Sequence, residues 1–150
     1  MAYTEKRITK LRSYLFEIIN RLKDNNKQIN ANFLSDDINN YSLDKIPINT
    51  QVNNWIIDGG VYRDLYSFRS RMSYSQDTIN NLKNIGFFED FEEIINSNND
   101  EGVLPDIDGI ESIKCLNCGT MNNVQSNTAE FDIQIQITYR KNNEGGIVSI

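Results

Sequence analysis

Near the start of the chain, apolar residues recur at spacings of three and four: Ile8, Leu11, Leu15, Ile18 and Leu22, with Arg12, Glu17, Arg21 and Lys23 between them. That spacing predicts an amphipathic helix from about Thr4 to Asp24, with Phe16 and Ile19 widening its apolar stripe and Asn25-Asn26 as its stop. Such a helix packs on its own domain's core or forms a seam to a neighbouring subunit. From Ile29 to Pro47 the pattern fades. Asn32-Phe33-Leu34 reads as a short strand, followed by a polar loop through Asp36-Asp37 and Asn39-Asn40.

The segments from Gln51 to Ile57, which contains Trp55, and from Val61 to Met72 read as strands joined by Asp58-Gly59-Gly60. Glycine there accepts the positive φ that a tight hairpin turn requires. Ser73 or Ser75 can cap a second helix, with Asp77 in its first turn. Ile79, Leu82 and Ile85 read as its first apolar face, Gly86 as an interruption, and Phe88, Phe91 and Ile95 as a resumption. The expectation is a two-part helix from Ser75 to Ser97, whose acidic Glu89, Asp90, Glu92 and Glu93 form a solvated face.

Ile110 to Cys118 reads as a further strand. In the clearest segment, Phe131, Ile133, Ile135, Ile137 and Tyr139 alternate with Asp132, Gln134, Gln136, Thr138 and Arg140. Period two with one apolar parity marks a strand half-buried against a core. Each inward side chain is worth about 1.5–3 kcal/mol when fully buried. The last ten positions, from Lys141 with Gly145-Gly146, read as a flexible tail. The element order predicts an α+β fold: one small domain, residues 1–150, with a mostly antiparallel or mixed β-sheet and two helices packed on one face.

Composition narrows the function. With 150 residues, 39% hydrophobic and 24% charged, the chain has the makeup of an ordinary globular domain. Its net charge of −6 argues against general attraction to phosphate backbones. The chain contains no histidine, which removes the commonest general base and metal ligand. No apolar run suits a signal peptide or a membrane span, so the expected compartment is the cytosol.

The candidate chemistry is thin. Cys115-Leu116-Asn117-Cys118 lacks the two further ligands a structural zinc needs, and it lies at a strand end rather than the helix start a redox pair favours. It is read as two reduced thiols. Asp106-Ile107-Asp108-Gly109 resembles part of a calcium loop without the later ligands and reads as the turn before a strand. A carboxylate-metal enzyme using Asp106 and Asp108 is the rival that these residues leave open. Arg63, Arg69 and Arg71 share one strand parity opposite Tyr62, Tyr66 and Phe68. That stripe is either solvated or a contact surface. Together with Glu89, Glu92 and Glu93 it supplies the candidate subunit interface, an arginine stripe of one copy meeting the acidic helix of the next.

The stretch Tyr62-Arg63-Asp64-Leu65-Tyr66-Ser67-Phe68-Arg69-Ser70-Arg71, the positions Asn81-Leu82 and Ile85-Gly86-Phe87-Phe88-Glu89, and the run from Thr128 to Arg140 resemble the tail-terminator or minor capsid proteins of phages and phage-tail-like bacteriocins from low-GC Gram-positive bacteria. The likeness covers about Gln51 to Arg140. It implies a helix-plus-sheet fold and a hexameric ring that caps the tail tube, stops its polymerisation and offers a docking face to the capsid neck. The implied partners are further copies of the chain, the tail tube protein, the neck or head-tail connector protein and, in a contractile tail, the sheath protein. DNA would pass through the ring lumen without sequence-specific contacts. The expected location is the virion, with the host cytoplasm during assembly. The resemblance carries no catalytic, metal or cofactor residues across, and a neck completion protein is its near alternative.

Overall fold

The computed structural model describes residues 6–23, 29–31, 40–48, 51–54, 60–73, 78–117, 120–122, 124 and 128–141. In chain order the elements are α1 (Arg7–Lys23), β1 (Ile29–Ala31), β2 (Asn40–Ile46), β3 (Gln51–Asn54), β4 (Gly60–Ser73), α2 (Thr78–Glu101), β5 (Ile110–Cys115), β6 (Thr120–Asn122) and β7 (Thr128–Lys141). The protein is an α+β domain with a mostly antiparallel sheet.

The centre of the sheet is the antiparallel pair β4 and β7. They run beside each other from Gly60 opposite Lys141 to Ser73 opposite Thr128. Each then carries two shorter strands on its outer edge. β4 pairs with β3 near its start and with β2 further on, whereas β7 pairs with β6 and then β5. β1 lies parallel to β2 and makes the sheet mixed.

One parity of each central strand turns inward. Tyr66, Phe68 and Met72 of β4 lie on the same face as Phe131, Ile133, Ile135, Ile137 and Tyr139 of β7, all buried. Tyr41 and Leu43 of β2 continue that face. Leu11, Leu15, Ile18 and Ile19 of α1 and Phe87, Phe88, Phe91 and Ile95 of α2 cover it, so both helices lie on one side. Aromatic rings fill the join: Phe91 stacks on Phe68 at 5.3 Å, Phe88 meets Phe131 at 5.2 Å, and Tyr41 stacks on Phe68 at 5.7 Å.

Three expectations change. The faded region contains a seven-residue strand, β2, that its pattern did not announce, together with the short β1, while the expected polar loop at Asp36-Asp37 and Asn39 lies outside the described residues. Asn32-Phe33-Leu34, Trp55, the Asp58-Gly59 part of the hairpin turn, Cys118 and the tail from 142 lie outside the described residues. β3 and β4 pair antiparallel, as the expected hairpin requires, but Gly60, expected in its turn, is the first residue of β4 and lies opposite Asn54 and Lys141.

The second helix is continuous through Gly86, and its inward face differs from the expected one. Leu82 and Ile85 are 59% and 50% exposed, while Asn84, Phe87, Phe88, Phe91 and Ile95 point inward. A repeat of three residues drifts around a helix of about 3.6 residues per turn, so positions nine apart end about two and a half turns on, on opposite sides. Leu82 and Phe91 are such a pair. The strand expected to reach Cys118 ends at Cys115, and β6 follows it.

Candidate functional site

The most elaborate polar cluster surrounds Asp64, which lies on the inward parity of β4 between Tyr62 and Tyr66 and is fully buried. A carboxylate on an apolar sheet face needs cationic and hydrogen-bonding partners. Arg7, in the first turn of α1, donates from Nε to Asp64 Oδ2 at 2.7 Å. Tyr66 donates its hydroxyl to the same oxygen at 3.0 Å, and Tyr139, directly across from Tyr62 on β7, donates to Oδ1 at 3.2 Å. Lys45 of β2 places its ammonium 3.7 Å from Oδ1.

Aromatic faces extend the cluster outward. The Arg7 guanidinium carbon lies 4.4 Å from the centre of the Tyr139 ring, Tyr62 stacks on Tyr139 at 5.7 Å, and Lys141 Nζ lies 5.6 Å from the centre of Tyr62. Burial alone pushes the Asp64 carboxyl up. The hydrogen bond and charge of Arg7, the Tyr66 phenol and the Lys45 charge outweigh it, and Asp64 stays below the ordinary carboxylate value. Burial and the Asp64 charge push Tyr139 up to about 12 and Tyr66 up further. The Arg7 guanidinium is likewise held charged by Asp64 against the effect of burial. A buried, ionised carboxylate and the neutral phenols around it suit the clasping of a helix to a sheet. They do not suit proton transfer near neutrality.

On the opposite face of the sheet, away from α1 and α2, lies the arginine parity. Arg69 pairs through Nε with Asp44 of β2 at 2.7 Å and approaches Glu130 of β7 at 3.7 Å. Arg71 reaches Glu130 at 3.9 Å and is buried. Ser67 donates to Asp132 at 2.7 Å and Ser42 to Asp44 at 2.8 Å. The expected stripe is therefore divided. Arg69 and Arg71 spend their charge within the chain, and Arg63 is the exposed member.

Glu89 and Glu93 are exposed on α2, and Glu92 is half-buried there. They stand on the helix side of the sheet, away from the arginines. Asp106 pairs with Lys10 at 3.3 Å, and Asp108 lies in the turn that precedes β5, as expected of that segment. Among the described residues no three acidic or cysteine side chains gather as metal ligands. Cys115 is a half-buried cysteine at the end of β5.

The sequence reading missed Arg7, Lys45 and Asp64. The signal was present: Asp64 shares its parity with Tyr62, Tyr66 and Phe68, where a carboxylate has no place without a cation. Among the described residues no helix is long and apolar enough to cross a membrane. No protein-family model matches the chain, and no curated protein matches it.

Proposed function

We propose that the chain is a structural protein of the tail-terminator kind, which assembles into a ring on the end of a phage tail tube or of a phage-tail-like particle. One observation carries the reading. The separate stretches that resemble the tail-terminator family form one contiguous unit. Tyr62–Arg71 lies within β4 and Thr128–Arg140 within β7, and these are the paired central strands. The third stretch lies in α2, whose Phe88 packs on Phe131 of that pair. A likeness scattered over unrelated surfaces would carry no such weight.

The polar clusters fit a protein that works through its folded faces. Their charges are spent on one another, holding α1 to β4 and β2 to β4 and β7. In this reading copies close into a hexamer, seat on the tail tube protein, end its polymerisation and offer the other face to the neck, with DNA passing through the lumen. The ring is part of the virion, assembled in the host cytoplasm.

The test is the mass of the native complex, together with electron microscopy of the protein mixed with tail tubes. The expected result is a closed ring of six copies that decorates tube ends and limits tube length. A strict monomer that neither binds tubes nor limits their length overturns the reading, as does turnover of a substrate.

A further inference from the structure

The two helices that share one face of the sheet carry opposite charge. α1 holds five basic residues against one acidic, whereas α2 holds six acidic against one basic. Arg7 and Lys10 of α1 are spent within the chain on Asp64 and Asp106, which leaves Arg21 exposed, with Lys6 just before the helix. α2 has no acidic residue in its first turn and no basic residue in its last, and Glu89 and Glu93 stand mid-helix beyond the reach of the helix dipole, so their charge is not explained by helix stability. Next to the exposed Glu89 and Glu93, on the same outer stripe, stand Leu82 and Ile85, both at least half exposed.

Gly86 belongs to the same patch. A Cβ built there would meet nothing within 4 Å, so nothing among the described residues requires a glycine at that position. A glycine inside a helix weakens it relative to alanine. Two unburied aliphatic side chains, a gap beside them at Gly86 and an acidic border describe a surface made to be covered by something cationic.

We infer that a second copy of the chain covers it: the outer face of α2, with Leu82, Ile85, Gly86, Glu89 and Glu93, docks on the outer side of α1 of the neighbouring copy, where Arg21 and, one residue before the helix, Lys6 are exposed. The inference rests on the ring reading and names its contact. It replaces the arginine stripe as the cationic partner, because Arg69 and Arg71 are already paired within the chain. Two different helices in contact make a head-to-tail interface, which repeats from copy to copy and closes when the rotation allows. Opposite charges across it set the register and make association salt-sensitive.

The test compares the full-length wild type with charge-reversed variants by sedimentation and native mass, with circular dichroism to confirm folding. Glu89→Lys with Glu93→Lys, and separately Lys6→Glu with Arg21→Glu, are each expected to remain folded and to associate at least about 10-fold more weakly, since like charges then face each other. Mixed in equal amounts, the two variants are expected to regain the wild-type assembly, because in an alternating ring of even number every contact is again opposite in charge. Gly86→Ala is expected to raise the melting temperature by about 2–4 °C while weakening association, a pair of changes that a purely structural glycine would not produce.

Variants that assemble like the wild type overturn the α1–α2 contact and leave the ring standing. If they assemble normally but lose tube binding, the α2 face belongs to the tube protein and the inference fails. A wild type that is monomeric at every concentration overturns both. A particle of twice the 17.3 kDa chain mass keeps the helix contact, made reciprocally, and overturns the ring.

Discussion

Arg7 and Asp64 meet across 2.7 Å and 57 positions of sequence, tying the first turn of α1 to the inward face of β4. The two ends of this ion pair live in different surroundings. The Arg7 side chain is 36% exposed, whereas that of Asp64 is wholly buried. Losing one partner therefore does not equal losing the other.

Arg7→Met leaves a buried carboxylate with two phenols and the more distant Lys45, and an uncompensated buried charge costs about 3–5 kcal/mol. Asp64→Asn leaves a guanidinium that can turn to water, so the loss is nearer that of a charged hydrogen bond, about 1.5–3 kcal/mol. The expected order, Arg7→Met worse than Asp64→Asn, is read from urea midpoints. The reverse order would mean that Arg7 does not hold Asp64 in solution.

The same cluster makes stability depend on pH at both ends of the scale. Asp64 is held below its ordinary value of 3.8, so below about pH 4 the unfolded chain takes up the proton first, and stability is lost as pH falls further through the native value. Tyr139 is pushed from its ordinary 10.0 up to about 12. Its contribution is complete below pH 10 and drains away between 10 and 12, where only the unfolded chain ionises. Tyr66 acts in the same direction. In unfolding titrations across this range, Tyr66→Phe with Tyr139→Phe should flatten the alkaline fall and leave the acid limb in place. An unchanged alkaline limb would remove the phenols as its source.

How much of this was legible in the chain depends on whether a residue answers to its neighbours or to distant partners. The alternation from Phe131 to Tyr139 could be read directly because its inward positions are all large and apolar. In β2, Tyr41 and Leu43 begin the same rhythm, but the next inward position is Lys45, whose ammonium lies 3.7 Å from Asp64. That pairing lies in the fold and not in the local pattern, so the strand was hidden. The inward face of α2 was misplaced for a different reason: the spacing of three through Ile79, Leu82 and Ile85 is helical but drifts, and only packing against Phe68 and Phe131 selects Phe88 and Phe91. The arginine parity was legible, whereas its division between Arg63 and the paired Arg69 and Arg71 required Asp44 and Glu130 to be in place.

That division gives a third prediction. Arg63 is exposed, and Arg63→Glu should change stability by no more than about 0.5 kcal/mol. Arg69→Ala strips Asp44 of its cation, leaves Glu130 with Arg71 alone, and should cost about 1–3 kcal/mol. Chemical denaturation of the two variants at matched protein concentration separates them. Equal effects would show that Arg69 is as free in solution as Arg63.

The turn before β5 permits a test of backbone geometry alone. Gly102, just past the end of α2, and Gly109, in that turn, both have positive φ, 77° and 74°, a region that costs other residues about 1–2 kcal/mol. Their surroundings differ. A Cβ at Gly102 would stand in open space, whereas one at Gly109 would lie 2.0 Å from the carbonyl oxygen of Arg140. That contact cannot relax by a side-chain rotation, because Arg140 N donates to Gly109 O at 2.8 Å and fixes the two backbones together where β7 passes the turn. Gly102→Ala should therefore cost only the conformational penalty. Gly109→Ala should cost clearly more, by adding the loss of the bond between the turn and β7, and should speed amide exchange at Arg140. If the two alanine variants melt together, the close approach of Gly109 to Arg140 is absent in solution.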